Sequence, residues 1–212
     1  MRTLLALSFS FILVTSSFAQ DSKAEKSDAA KPAVCEGQCP IATGLKALPQ
    51  MHYKVNGKLI DGCIKCATAA SKESGKPIMY VVGKKEFEAE GKAKMELLTA
   101  TENMVKAFAT PHKCEVSQTT TIGGKKCSCP VEAAERTKLV STAISKVKMN
   151  FKVGEKTCDC PVKAAELAKT SGQAKEFVVG ETCTACETTA KLELARAQYK
   201  AALEALAKLE KK

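Results

Sequence analysis

The sequence predicts an α+β protein built from two tandem hairpin-helix-hairpin-helix repeats (ββαββα-like), with small antiparallel sheets covered by helices. Short β-favouring runs are interrupted by glycine turns, and Ala-rich segments with helical apolar spacing follow them. The two halves also resemble each other, which favours duplication. The matching segments are Tyr53-Lys-Val-Asn-Gly with Phe151-Lys-Val-Gly, and Tyr80-Val-Val-Gly with Phe177-Val-Val-Gly.

The N-terminal segment has the features of an export signal. Residues 1–19 carry Arg2 as their only charge, an apolar run, and a small-residue exit at Ala19. This pattern is typical of a secretory signal peptide, and the apolar run is too short for a comfortable transmembrane helix. Residues 20–33 are mostly Ala, Lys, Ser, Asp and Glu, which predicts a disordered linker. We therefore expect a secreted or periplasmic protein without a transmembrane anchor.

The first repeat is expected over residues 34–112. It begins with a cysteine pair and a short helix, followed by a hairpin turning at Asn56-Gly57, the strongest short-range hairpin signal. A short helix stops near Gly75, and a second hairpin follows from Ile78. Apolar residues at helical spacing then predict a longer helix that ends near Pro111.

The second repeat is expected over residues 113–212 in a similar order. A helix opens after Cys129, hairpins turn at Gly154 and Gly180, and a short helix stops near Gly172. The chain closes with a long helix whose apolar stripe includes Leu203. The long terminal helices could pair the two halves. A shorter period, one hairpin plus one helix, fits the same pattern.

Cysteines are the residues most able to carry chemistry in this chain. There are eleven, and all but Cys114 fall in close pairs. The ten candidate metal ligands are Cys35, Cys39, Cys63, Cys66, Cys127, Cys129, Cys158, Cys160, Cys183 and Cys186. Aligning the halves predicts one four-sulfur set from the first two pairs and another from the third and fourth.

Paired thiolates suit soft metal ions. Two residues at i and i+2 on a strand point to the same face, and a helix N-terminus stabilises a thiolate. Four thiolates brought together suit Zn(II), whereas smaller sets suit Cu(I). The sequence therefore favours an exported, cysteine-rich metal-binding protein that buffers, sequesters or delivers Cu(I) or Zn(II), with the metal ion and an unidentified protein as partners.

Two alternatives remain open for the same residues. An exported protein meets an oxidising compartment, so disulfide bonds between the pairs could staple an extracellular structural or interaction module. An odd cysteine count fits that framework poorly. Thiol–disulfide redox exchange is the third alternative, with Cys183-Thr-Ala-Cys186 as its best candidate. No catalytic triad, phosphate loop or carboxylate pair stands out, so we expect no enzyme.

The charge of the chain does not indicate a nucleic-acid reader. Lys plus Arg number 33 against 23 Asp plus Glu, a formal net charge of +10. The excess is almost all lysine and tryptophan is absent, whereas specific readers depend on arginine and aromatic stacking.

His52 and His112 are the only histidines and could complete a metal site, although a lone His before a turn is more often solvated.

Two local resemblances point in the same direction. Val178-Val-Gly-Glu-Thr-Cys-Thr-Ala-Cys resembles the Gly-x-x-Cys-x-x-Cys loop of heavy-metal-associated domains, over about a dozen residues. The order of Cys39, the hairpin from Tyr53, and then Cys63 with Cys66 is similar to metal-trafficking domains of the TRASH and YHS type. Both resemblances imply the handling of soft metal ions.

Overall fold

The computed structural model describes residues 40–210 and has the α+β architecture with small antiparallel sheets that the sequence predicts. The described residues form six helices and eleven strands. In chain order they are α1 (Pro40–Lys46), β1 (Met51–Val55), β2 (Lys58–Ile60), α2 (Ile64–Ser74), β3 (Ile78–Val82), β4 (Lys85–Phe87), α3 (Glu90–Ala109), β5 (His112–Lys113), β6 (Thr120–Ile122), β7 (Lys125–Cys127), α4 (Pro130–Lys146), β8 (Asn150–Val153), β9 (Lys156–Cys158), α5 (Pro161–Ser171), β10 (Lys175–Val179), β11 (Thr182–Thr184) and α6 (Glu187–Leu209).

The expected signal peptide and linker, at residues 1–19 and 20–33, lie outside the described residues, as do Cys35 and Cys39. None of the described helices combines the length and the apolarity needed to cross a bilayer.

Three antiparallel sheets organise the described chain. Two have four strands, in the orders β2-β1-β3-β4 and β11-β10-β8-β9, and one has three strands in the order β5-β6-β7. In each four-stranded sheet the first strands of two consecutive hairpins pair in the centre, and the shorter return strands form the edges. The predicted domain boundary between residues 112 and 113 falls inside β5.

Five hairpins end in the same way, in a feature that we call a corner: the return strand, two or three linking residues and the start of a helix. At every corner the carbonyl of the helix N-cap residue accepts a hydrogen bond from the amide of an alanine four residues later, at 3.0–3.2 Å. These alanines are buried because the helix backbone lies close to its own hairpin. They are Ala67, Ala93, Ala133, Ala164 and Ala190.

The corners have similar turns and cross-strand pairs. At the first, Asn56 and Gly57 have φ values of 50° and 76°, which match the predicted two-residue turn. The first strand of each hairpin ends in a valine or isoleucine directly before the turn. The last residue of the return strand faces the core and pairs with the residue two positions before that valine or isoleucine. Those core-facing residues are Ile60, Phe87, Cys127, Cys158 and Thr184.

Helix α6 is the shared core element of the described residues. Near its start, Leu192 joins Leu97 and Val82 in one buried cluster. Further along, Tyr199 packs edge-on against Phe108 of α3, with ring centroids 4.8 Å apart. Near its end, Leu206 packs with Val140 of α4. The long helices therefore pack together and join the halves, and the described residues belong to one compact unit.

Candidate functional site at the helix corners

Cys63 and Cys66 form a disulfide at the start of α2. Cys63 is the N-cap residue, with an extended backbone, and its sulfur accepts a hydrogen bond from the Cys66 amide at 3.2 Å. The two Cα atoms are 5.2 Å apart. Cys66 is exposed and Cys63 is half-buried. The arrangement places both sulfurs at a helix N-terminus, where free amides and the helix dipole favour a thiolate over a thiol.

One member of a polar pair lies close to this disulfide in the sequence. His52 Nδ1 is 3.2 Å from Asp61 Oδ1, and Asp61 is two residues before Cys63. The Nδ1 atom is buried and has no partner of good hydrogen-bond geometry in the described structure, whereas Asp61 is largely exposed. His112 lies elsewhere, exposed in β5 and paired with Thr121.

The strand cysteines of the two Cys-x-Cys motifs belong to the hydrophobic core. Cys127 is only 2% exposed and packs with Ile122 and Ala133. Cys158 pairs with Phe151 across the hairpin and packs against the cluster of that hairpin. These cysteines occupy the positions of Ile60 and Phe87 at other corners, where ordinary apolar side chains serve the same purpose.

The second cysteine of each Cys-x-Cys motif lies beyond the strand. Cys129 caps α4 and Cys160 caps α5, each with an extended backbone. Because the chain has left the strand before this residue, the expectation that both sulfurs share one face does not apply. Cys129 is exposed while Cys127 is buried, and the Cys158 thiol donates to the Cys160 carbonyl at 3.7 Å.

Cys183 and Cys186 have different surroundings. Cys183 pairs with Val178, one position out of step with the core-facing Thr184, so it lies on the outer face of its sheet. Its thiol donates to Glu176 Oε2 at 3.3 Å. Cys186 is the N-cap residue of α6. Both thiols are exposed and unbonded.

These surroundings shift the pKa values of the two thiols in opposite directions. The hydrogen bond to the Glu176 carboxylate, followed by desolvation, raises the pKa of Cys183 because ionisation would break the bond. The pKa of Cys186 is lowered, chiefly because the Thr189 side chain can donate to the thiolate, with the Thr189 amide as the next cause. Lys94 of α3 contributes a smaller electrostatic lowering.

Cys114 lies in the loop that joins β5 to β6. Its amide donates to the Thr119 carbonyl at 2.8 Å. Hydrogen bonding from the Ser117 side chain, then from the backbone amides of Ser117 and Val116, lowers the pKa of this half-buried thiol. Cys114 belongs to none of the five cysteine pairs in the sequence, and the structure also places it outside the corners.

The described residues contain one bonded cysteine pair and seven free thiols. Across residues 40–210, no three His, Cys, Asp or Glu side chains converge on a point that could hold a metal ion. The expected second four-sulfur set is therefore not assembled: Cys127 and Cys158 lie in separate core clusters, and Cys129 and Cys160 cap different helices. The first expected set includes Cys35 and Cys39, which are outside the described range.

The sequence placed these cysteines at helix starts, and the structure assigns them to the N-cap position, where among the four only the Cys63 sulfur accepts a hydrogen bond from its helix backbone. Four of the five corner helices have cysteine at the N-cap, and the fifth has Ala89. The signal was present, because proline follows two of these cysteines directly and favours the first helical position. The approach of Lys94 to Cys186 had no local signal, since it depends on how α3 packs against α6.

Comparisons with protein-family models, with curated proteins and with solved structures find no match to this chain.

Proposed function

We propose that this protein is exported and that it exchanges thiols and disulfides through Cys63 and Cys66 in the compartment that it reaches. The observation that carries the proposal is the bonded pair at the N-terminus of α2, where Cys63 is only half-buried and Cys66 is exposed, so that a reaction partner can reach the bond. We propose stoichiometric exchange and assign no further catalytic residue. The expected signal peptide supplies the argument for an oxidising compartment.

The position of the bond favours exchange over a structural staple. A disulfide stabilises a fold mainly by restricting the unfolded chain, and the effect grows with the length of the closed loop. Cys63 and Cys66 are separated by only three positions within one helical turn. The bond therefore links no two elements and gives little restriction of this kind.

The exchange can be written with bonds and charges balanced. In the reduced protein, the Cys63 thiolate attacks one sulfur of a substrate disulfide, and the substrate bond breaks to release one thiolate. The Cys66 thiol then loses its proton to solvent and attacks the Cys63 sulfur, which forms the internal disulfide and releases the second substrate thiolate. The Cys66 amide, 3.2 Å from the Cys63 sulfur, is placed to stabilise the first thiolate.

The test is a redox equilibrium measured with mixtures of reduced and oxidised glutathione or dithiothreitol, followed by mass mapping of the Cys63–Cys66 peptide. We expect a reduction potential between about −270 and −120 mV, the range of thiol-exchange proteins. A value below about −300 mV is typical of structural disulfides and would refute the proposal. The Cys66→Ser variant is the control, because it should trap a mixed disulfide on Cys63.

A second candidate function rests on the same two sulfurs. After reduction, Cys63 and Cys66 would be a two-thiolate clamp, which suits Cu(I) better than Zn(II), for which four ligands are usual. The expected roles of the other cysteines in metal binding, including Cys35 and Cys39, stay predictions. Titration of the reduced protein with Cu(I) should load one ion more than titration of the Cys63→Ser variant. Equal loading of both proteins would exclude this clamp.

We further propose that residues 34–112 and 113–212 are tandem copies. The support is the equivalent strand order in the two four-stranded sheets, with a short helix following the first hairpin of each and a long helix following the second. Separate expression of the two segments tests whether each behaves as a unit. The expected result is partial folding only, because α6 contributes to the clusters of both segments.

A further inference from the structure

A cleft of about 550 Å³ lies where α1, β1, α3 and α6 meet. Each of these elements contributes to its apolar wall, which includes Leu45, Tyr53, Leu97 and Leu192. Small-molecule sites are typically clefts of about 300–1,000 Å³ with mostly apolar walls and a few polar groups, and they often lie where two parts of a fold meet. This cleft has that size and position, because α3 and α6 come from different halves of the chain.

Helix α6 lines the cleft from Thr188 to Arg196. At about 1.5 Å of rise per helical residue, these two positions lie about 12 Å apart along the helix axis, so the two ends of the cleft have distinct surroundings. Midway between them, Leu192 is buried and packs with Leu97 in one apolar cluster. The middle of the cleft is therefore apolar.

One end of the cleft is cationic. Lys94 lines it together with Thr188 and Thr189 of the first turn of α6, where the positive end of the helix dipole also favours an anion. Lys94 belongs to this end because its charge acts on the thiol of Cys186, the N-cap residue of α6. The Lys94 ammonium is 2.7 Å from Glu90 Oε1, but Glu90 lies outside the lining and an ammonium has further N–H donors. Donors therefore remain for an anion in the cleft.

The other end of the cleft is neutral. Arg196 donates from Nη1 to Glu193 Oε1 at 3.0 Å, and both side chains line the cleft, so their charges offset each other within it. Leu45 lies at this end, since it also lines a smaller neighbouring cavity together with Glu193 and Arg196. A ligand with an anionic group near Lys94 and an apolar body that extends toward Leu45 matches this distribution of charge.

We infer that this cleft binds a small amphipathic carboxylate. The carboxylate accepts a hydrogen bond from Lys94 near the positive end of the α6 dipole, and the apolar body lies along Leu97 and Leu192 toward Leu45. Burial of the body removes apolar surface from water, and a hydrogen bond between charged groups is stronger than a neutral one. An ion without the apolar body, or an apolar chain without the charge, gains only one of these contributions. The inference does not depend on exchange at the disulfide corner.

The test is isothermal titration calorimetry of the full-length protein with octanoate, 1-octanol and acetate, at concentrations below those at which octanoate aggregates. We expect one octanoate per chain, bound about tenfold more tightly than 1-octanol, which corresponds to one charge-assisted hydrogen bond of about 1.4 kcal/mol. Acetate should show no saturable binding. Equal affinities for octanoate and 1-octanol, or for octanoate and acetate, overturn the inference.

The Lys94→Gln variant tests the place of the carboxylate. It should weaken octanoate binding about tenfold and leave 1-octanol binding unchanged. Lys92→Gln is the matched control, because Lys92 is an exposed lysine of the same helix that lies outside the lining. A Lys94→Gln protein that binds octanoate as tightly as the wild type overturns the inference.

Cys186 provides a second readout in the wild-type protein. Bound octanoate places negative charge near this thiol, so it should raise the pKa of Cys186 and slow its alkylation by iodoacetamide near neutral pH. Cys129, an exposed N-cap thiol at another corner, should alkylate at an unchanged rate. Mass mapping gives both rates at saturating octanoate. An unchanged rate at Cys186, or equal slowing of both thiols, overturns the inference.

Discussion

Cys127 and Cys129 are two residues apart, yet one is a core residue and the other a helix cap. The Cys127 side chain packs with Ile122 and Ala133, whereas Cys129 is exposed at the start of α4. A motif that looks like one chemical unit therefore contains two residues with separate physical roles.

These separate roles predict opposite effects of serine. Cys127→Ser should lower the free energy of unfolding by about 1–3 kcal/mol, because a buried hydroxyl without a good partner is costly. Cys129→Ser should be neutral or slightly stabilising, because serine is among the best N-cap residues. Urea denaturation of the two variants measures both effects. Equal losses would contradict the assignment of Cys127 to the core.

The opposite pKa shifts of Cys183 and Cys186 predict an order of reactivity. Alkylation requires the thiolate, so its rate rises as pH passes the thiol pKa. Cys186, with the lowered pKa, should therefore react with iodoacetamide at lower pH than Cys183, with the raised pKa. Mass mapping of partly labelled protein across a pH series measures the two midpoints. A lower midpoint for Cys183 would refute the assigned hydrogen bonds.

Glu176→Gln should shift the Cys183 midpoint alone. The carboxylate accepts a hydrogen bond from the Cys183 thiol, with sulfur and oxygen 3.3 Å apart, so removing its charge lowers the pKa of Cys183 toward the ordinary value. Alkylation of Cys183 near neutral pH should then become faster. Cys186 in the same molecule is the internal control, because its pKa depends on Thr189 and Lys94. An unchanged Cys183 midpoint would show that the hydrogen bond to Glu176 does not raise the pKa of Cys183.

A buried cation near the end of α6 predicts a measurable coupling. Arg136 is 2% exposed and donates from both terminal nitrogens to Glu210 Oε1, at 3.3 and 3.4 Å. Glu210→Ala should cost about 1–2 kcal/mol, less than for a fully buried pair, because water reaches the half-exposed carboxylate. In the Arg136→Met background the same change should cost little. Additive effects in this double-mutant cycle would exclude the coupling.

Two turn glycines provide a matched pair. Gly123 and Gly180 have nearly equal positive φ values, 58° and 57°. A Cβ on Gly180 would meet open space, whereas a Cβ on Gly123 would run into the side chain of Leu206. Gly180→Ala should cost about 1–2 kcal/mol for the left-handed backbone, and Gly123→Ala should cost at least about 1 kcal/mol more for the clash. Equal midpoints in urea would contradict the packing of α6 on this turn.

The hairpins and helices were predictable because their signals are local. Asn56-Gly57 marks its turn, and Gly75 and Gly172 end α2 and α5 in left-handed conformations with φ of 65° and 68°. The role of each cysteine was not predictable from spacing alone. It depends on the register of each hairpin, which places Cys158 opposite Phe151 and Cys183 one position out of step.

The joining of the two halves was also beyond local reasoning. The apolar stripes of α3 and α6 could each have packed on their own hairpins, and the sequence left their mutual pairing only as a possibility. In the structure, Leu192 joins the cluster that contains Leu97, because the start of α6 lies against α3. Such contacts depend on the packing of distant segments and have no signature within either helix.

Ala89 at the start of α3 shows that a corner folds without a thiol, since its helix and buried Ala93 match those of the cysteine-capped corners. The capping position can therefore change its chemistry while the backbone stays the same. The N-cap positions of the corners can therefore exchange cysteine for another residue without a change of fold. A thiol can be added at Ala89 or removed at Cys129 or Cys160, so the number of thiols can be changed separately from stability.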